Sequence, residues 1–182
     1  MADEAEQYRR LSSRMTELIA GVPDDAWSRP SPCEGWTARD LVGHLIDVHG
    51  RFQSMVGRKL VDHPPVDEDP LGAWQAVRDQ MQSDLEDPAR RDQEYEGRLG
   101  RSTFGQSVDR FVRFDLVIHA WDLARATGQD DTIDPVDVQW VSAMVERMGD
   151  VMRSNKVIAE PLEPAPDASE QDRMLASLGR QV

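Results

Sequence analysis

The stretch from Val108 to Ala126 reads VDRFVRFDLVIHAWDLARA, and its periodicity decides the fold class. At about 100° per residue, Val108, Phe111, Val112, Leu116, Ile118, Leu123 and Ala126 gather on one side, which predicts a single amphipathic helix. Asp115 and His119 fall near the centre of that apolar face, four residues apart and therefore on adjacent turns. A carboxylate taken out of water is costly unless it is paired or bound to a metal. A partner for this pair is therefore expected inside the protein.

Three further long helices and a fifth element are legible around this one. The first is expected over roughly Ala5 to Ala20, with Tyr8, Leu11, Met15 and Leu18 on one face and Pro23 as its bound. The second is expected to follow the loop Pro30–Trp36, with Thr37 and Asp40 as a capping box, and to run to about Arg58. Its apolar arc holds Leu41, Leu45, Val48, Phe52, Met55 and Val56, with His44 and His49 toward the two edges. The third covers about Leu71 to Leu85, with Leu71, Trp74, Val77, Met81 and Leu85 aligned. Gly128 is expected to end the 108–126 helix. A further helix begins at Asp134 and Pro135, striped by Val141, Met144, Val145, Met148, Val151 and Met152. Residues 87–106 are rich in charge and glycine and leave room for a short hairpin around Tyr95 to Phe104. Residues 160–167 read as a proline-rich connector, and Ser169 to Leu178 as a terminal turn or short helix.

The expected class is all-α: a four-helix bundle with an additional C-terminal helix, in one domain over residues 1–182. Lysines and arginines number 21 against 34 acidic residues, a formal charge of −13, which argues against nucleic acid and against anionic membranes. There is no apolar run long enough to span a bilayer. The acidic start Met1–Glu6 lacks the character of a signal peptide, so a cytoplasmic location is expected. The single cysteine, Cys33, excludes an internal disulfide framework and a cysteine-rich zinc site, and it reads as small packing rather than as a nucleophile.

His44 is the natural companion of Asp115 and His119. Two imidazoles and one carboxylate suit a borderline divalent ion such as zinc, nickel or iron(II), with positions left for water or substrate. The plain alternative is a hydrogen-bonded Asp–His core pair without an ion, and residue spacing alone leaves both open. Asp122 could orient a ligand imidazole, though backbone or an arginine is the commoner partner for such a residue. His49 reads as packing or partly exposed, and His63 as solvated. Trp36 and Trp121 read as core, and Arg113 and Arg125 as solvated helix faces.

Two motifs carry a resemblance. Residues 32–45, PCEGWTARDLVGHL, are similar to the element PC-x-x-W-T-x-x-D-L-x-x-H-L of actinobacterial DinB-like proteins. Residues 115–128, DLVIHAWDLARATG, resemble their second element, D-x-x-x-H-x-W-D-L-A-x-A-T-G, and residues 167–180 resemble their closing segment. The subfamily resembles the metal-binding domain of mycothiol-dependent maleylpyruvate isomerase, within the DinB/YfiT-like superfamily. The resemblance implies a DinB-type bundle and a divalent metal, zinc first and nickel or iron as alternatives, on His44, Asp115 and His119. It also implies a small cofactor thiol such as mycothiol, activated at the metal for attack on a small electrophile, in a transferase or isomerase reaction. A glutamate stands in the isomerase where this chain has Asp115, and the isomerase carries a further C-terminal domain. The competing expectation is a non-catalytic bundle that binds a metal or small ligand. A homodimer is expected of either.

Overall fold

The computed structural model describes residues 3–97 and 100–182. It divides into two compact units, Met1–Asp130 and Asp131–Val182, and each is described by itself.

The first unit is the DinB-type bundle. Helix α1 spans Glu4–Ala20, α2 Ala38–Met55, α3 Pro70–Glu86 and α6 Arg113–Thr127. Helix α1 touches α3 and α6, and α2 touches the same two, so α1 faces α2 across the bundle and α3 faces α6. Three of these starts are capped by a side chain, those of α1, α2 and α3. Asp3 accepts from the Glu6 amide, Asp69 from the Gly72 amide, and Thr37 and Asp40 form the reciprocal box expected of them. The apolar stripes meet inside. Met15, Leu45, Trp74, Val77, Met81, Leu85 and Leu123 have no exposed surface, and each large side chain contributes about 2 kcal/mol by leaving water. Trp74 also donates its indole N–H to Thr16 Oγ1 at 2.9 Å, so its polar atom is satisfied.

Helix α2 ends at Met55 rather than near Arg58, and the reason is local. Gly57 takes φ +74°, the left-handed conformation that closes a helix, and the Arg58 amide donates back to the Gln53 carbonyl at 2.9 Å. Met55, expected in the apolar arc, is 49 % exposed at this frayed end.

The expected single helix over 108–126 is also corrected. A short α5 covers Phe104–Ser107, residues Val108–Val112 wind as a π-helix, and α6 follows without a break. The Arg113 amide bonds the Val108 carbonyl, the i→i−5 pattern of the wider turn. Burial then wraps most of α6: Phe114, Leu116, Val117, Ile118, Trp121, Leu123 and Ala124 are all buried, so the apolar arc is broader than one stripe. Gly128 ends α6 at φ +74°, as expected.

Between α3 and α5 lie a short helix, α4 (Pro88–Arg91), and a hairpin of β1 (Glu94–Gly97) and β2 (Gly100–Thr103). The strands pair antiparallel with Tyr95 opposite Ser102. The hairpin matches the expected segment, and residues 98 and 99 lie outside the described residues. Asp84 anchors this corner. It is fully buried, accepts from Gln53 Nε2 at 2.8 Å, and meets the guanidinium groups of Arg58 and Arg90.

In the second unit, α7 (Pro135–Ser154) starts with Asp134 as cap and Pro135 at its first position, as read from sequence. Val138, Val141, Met144 and Met152 are buried, whereas Val151, expected in the stripe, is 49 % exposed. Helix α8 (Glu170–Ser177) carries its own capping box, Ser169 with Asp172, and packs on α7. No helix among the described residues is long and apolar enough to cross a membrane.

Candidate metal centre

Two bundle helices carry three side chains to one point. The capping box fixes the start of α2, and His44 follows two turns later. Asp115 and His119 come from the first two turns of α6. One potential ligand atom from each of the three lies within 4.8 Å of the others. His44 Nε2 and Asp115 Oδ2 are 3.7 Å apart, and the rings of His44 and His119 meet edge to face at 5.0 Å. A 3.7 Å separation is too long for a hydrogen bond. It is close to the roughly 3.3 Å between two ligands that share one ion at bonds of about 2.0 Å. Two nitrogens and a carboxylate oxygen also form a donor set that suits zinc.

The three differ in exposure. The His119 side chain is 9 % exposed, while His44 and Asp115 are part-exposed at 24 % and 18 %. Asp115 was expected at the centre of the apolar face. The π-helical winding just before it changes the phase of the helix, because a wider turn carries more residues per revolution, and Asp115 emerges at the edge of the core.

Asp122 has a specific partner. Its Oδ2 lies 2.9 Å from His119 Nδ1, and the carboxylate is fully buried. A carboxylate accepts, so Nδ1–H donates and the free lone pair of the ring sits on Nε2. Of the two roles expected of Asp122, this contact is the one that orients an imidazole. Three residues apart on one helix, the two side chains lie on the same face.

Trp36, expected in the core, is half-buried against both imidazoles, with ring centroids 4.6 Å from His44 and 5.9 Å from His119. A tight loop places it: Gly35 takes φ +78°, the Trp36 amide bonds the Cys33 carbonyl, and the Ser31 amide bonds the Trp36 carbonyl at 2.8 Å. Cys33 is half-buried in that loop. Trp121 is buried, as expected, with Arg125 over its ring at 5.5 Å.

A cleft of about 560 Å³ opens beside His44, along the polar side of α2. Trp36, Gly43, His44, Asp47, Arg51 and Asp67 are among the residues that line it. Sequence reading missed this cleft. The signal was present, since Asp40, Gly43, His44, Asp47 and Arg51 recur at helical spacing along one flank of the apolar arc.

The remaining histidines lie elsewhere. His49 is fully buried, which is the packing role among the two expected of it. Its Nδ1 donates to the Leu45 carbonyl at 2.7 Å and its Nε2 accepts from the Tyr8 hydroxyl at 2.8 Å, which fits a neutral ring. Burial lowers its pKa from 6.5 to about 4, and burial raises the Tyr8 hydroxyl well above its ordinary range. His63, expected in solvent, is half-buried with Nδ1 at 2.8 Å from the Pro64 carbonyl. Arg113, expected on a solvated face, keeps only 12 % of its side chain exposed and lies 3.6 Å from Asp109.

Residues 8–80 match the model of the mycothiol maleylpyruvate isomerase N-terminal domain, a span that holds His44 and the loop of Trp36 but stops short of Asp115 and His119. An uncharacterized protein of Mycobacterium tuberculosis is 32 % identical over 181 residues in both strain CDC 1551 / Oshkosh and strain ATCC 25618 / H37Rv, covering 96 % of each chain. No solved structure matches. Aligned with that relative along almost its whole length, and with the family model across its first three bundle helices, the chain belongs to the family of the mycothiol maleylpyruvate isomerase N-terminal domain.

Proposed function

We propose that the protein is a divalent-metal-dependent enzyme that uses a low-molecular-weight thiol, of the transferase or isomerase type. The observation that carries this reading is the convergence of His44, Asp115 and His119, of which His44 also lines an open cleft. A storage or structural site would be expected to close around its ion, whereas three protein ligands with space beside them leave room for a reacting molecule. In this reading the three side chains hold the ion, zinc by preference. The bound ion supplies Lewis acidity, which favours thiolate over thiol near neutral pH.

The rest is the work of the chain. Asp122 holds His119 in the tautomer that presents Nε2 and keeps its ring from turning. Trp36 covers one side of both imidazoles and limits the approach of water from that side. His44 and Asp115 keep part of their surface exposed, within reach of a thiol and a small electrophile. Mycothiol is the thiol that the family relationship suggests.

Metal content of the tag-free protein, measured by mass spectrometry beside His119→Ala, tests the reading. About one zinc, nickel or iron per chain, lost in the variant, is expected. Wild-type protein that takes up none after incubation with divalent ions would overturn it.

A further inference from the structure

The cleft along α2 holds more charge than its ligand histidine needs, and most of that charge is already engaged. Arg39 donates to the carbonyls of Val66 and Asp67, both at 2.9 Å, and lies 5.2 Å from the centre of the Trp27 ring. Asp67 sits 3.9 Å from the same guanidinium. Asp40 is bound within the capping box, and the Thr37 hydroxyl and amide hold its carboxyl below the ordinary range. Two charged lining residues remain, Asp47 and Arg51. Both are exposed, and among the described residues neither has a hydrogen bond or an ion pair.

Their placement is regular. Arg51 lies one turn beyond Asp47, about 6 Å along the axis, and Asp47 lies one turn beyond His44, about 4.5 Å along it. The cleft therefore offers, in order from the candidate metal centre, one anion and one cation on a single helix face. They stand close enough to be bridged by a small ligand, yet they do not pair with each other.

Gly43 adds an independent observation. It stands in the interior of α2, where glycine is the poorest residue after proline. A glycine in such a place commonly makes room for a neighbouring group. Here a Cβ would meet nothing within 4 Å, and the backbone is not in the left-handed region. The folded chain itself gives no reason for glycine at this position. Its missing side chain deepens the cleft between Asp40 and Asp47.

We propose that the cleft seats the amino-acid headgroup of a small zwitterionic ligand. Asp47 takes the ammonium, Arg51 takes the carboxylate, and the rest of the ligand lies over Gly43 toward His44. The ligand class is an amino acid or short peptide with a free α-ammonium and α-carboxylate. The headgroup contact is independent of the thiol chemistry of the proposed function.

The headgroup can be probed without sulfur chemistry, using S-methyl-L-cysteine, its N-acetyl derivative and its methyl ester. Each is titrated into the full chain, with amide chemical shifts of α2 as the readout. The zwitterion should bind at least fivefold more tightly than either derivative, since each derivative deletes one charge contact. Arg51→Gln should weaken the zwitterion and the N-acetyl form while leaving the methyl ester unchanged. Gly43→Ala should raise the unfolding midpoint, as alanine does in a helix interior, while weakening the zwitterion several-fold. A merely structural glycine would not give that opposite pair of effects. Equal affinity for the three probes, no saturable binding, or full binding by Gly43→Ala would overturn the inference. Metal content read on the same samples separates the two claims. Headgroup selectivity without metal uptake removes the enzyme reading alone, and metal uptake without selectivity removes this one alone.

Discussion

His49 should make the protein acid-labile in a defined window. Its ring is fully buried, and its pKa falls from 6.5 to about 4 because burial penalises the imidazolium. The folded state therefore binds its proton more weakly than the unfolded state does. Between these two values the unfolded chain carries a proton that the folded chain lacks, so stability is complete above about pH 6.5 and declines as pH falls toward 4. At 1.36 kcal/mol per pKa unit, this one side chain accounts for a loss of about 2 kcal/mol at pH 5 and about 3 kcal/mol at pH 4. The non-titrating variant His49→Gln isolates that contribution. Urea unfolding of both proteins at pH 7, 6, 5 and 4 gives the stability difference at each pH. The variant should be less stable at pH 7, because the Tyr8 hydroxyl and the Leu45 carbonyl lose well-placed partners. The gap should then shrink by about 3 kcal/mol on acidification to pH 4. A gap that stays constant from pH 7 to pH 4 would refute the argument, since it would mean that His49 takes up its proton equally in both states.

Three other perturbations follow from named contacts. Asp122→Asn weakens the hold on His119 Nδ1 and should lower zinc affinity by about 10- to 100-fold, read by competition with a chromogenic chelator, with the helical circular dichroism unchanged. Asp84→Ala removes the fully buried acceptor of Gln53 and the partner of Arg58, and should cost about 3–5 kcal/mol in urea unfolding, far beyond an ordinary surface substitution. Gly57→Ala forces a side chain into the left-handed turn that ends α2, and should lower stability by about 1–2 kcal/mol, visible as a lower thermal midpoint.

The long helices were legible because their apolar residues recur at helical spacing and their starts carry side-chain caps. Thr37 with Asp40, Asp134 with Pro135, and Ser169 at the last helix are all local signals, and each cap forms within a few residues. His44, Asp115 and His119 were legible as a set because a buried acid and an imidazole one turn apart need a partner. The features that escaped depend on distant neighbours or on backbone winding. His49 sits at the edge of its own stripe, and Tyr8, 41 residues away, supplies the partner that lets it be buried. Trp36 reads as core by composition, yet its loop lays it over two imidazoles from different helices. The Asp122–His119 contact depends on the mutual geometry of two side chains on adjacent turns, which spacing alone does not fix. The π-helical stretch has no apolar signature of its own, because every residue in it also suits an α-helix.

That stretch has a consequence for how this centre varies among related chains. In an unbroken α-helix Asp115 would stand two turns from Val108 and almost directly in line with it, and Val108 is only 1 % exposed. The carboxylate would then point where the valine points. Exchanging side chains cannot undo such an alignment, because it is set by the number of residues in the turn. The orientation of the acid is thus governed by chain length within residues 108–112, and a one-residue deletion there would redirect it while leaving every ligand in the sequence intact. In alignments of this family, a single gap just before the D-x-x-x-H element therefore carries more weight for the centre than many substitutions inside it.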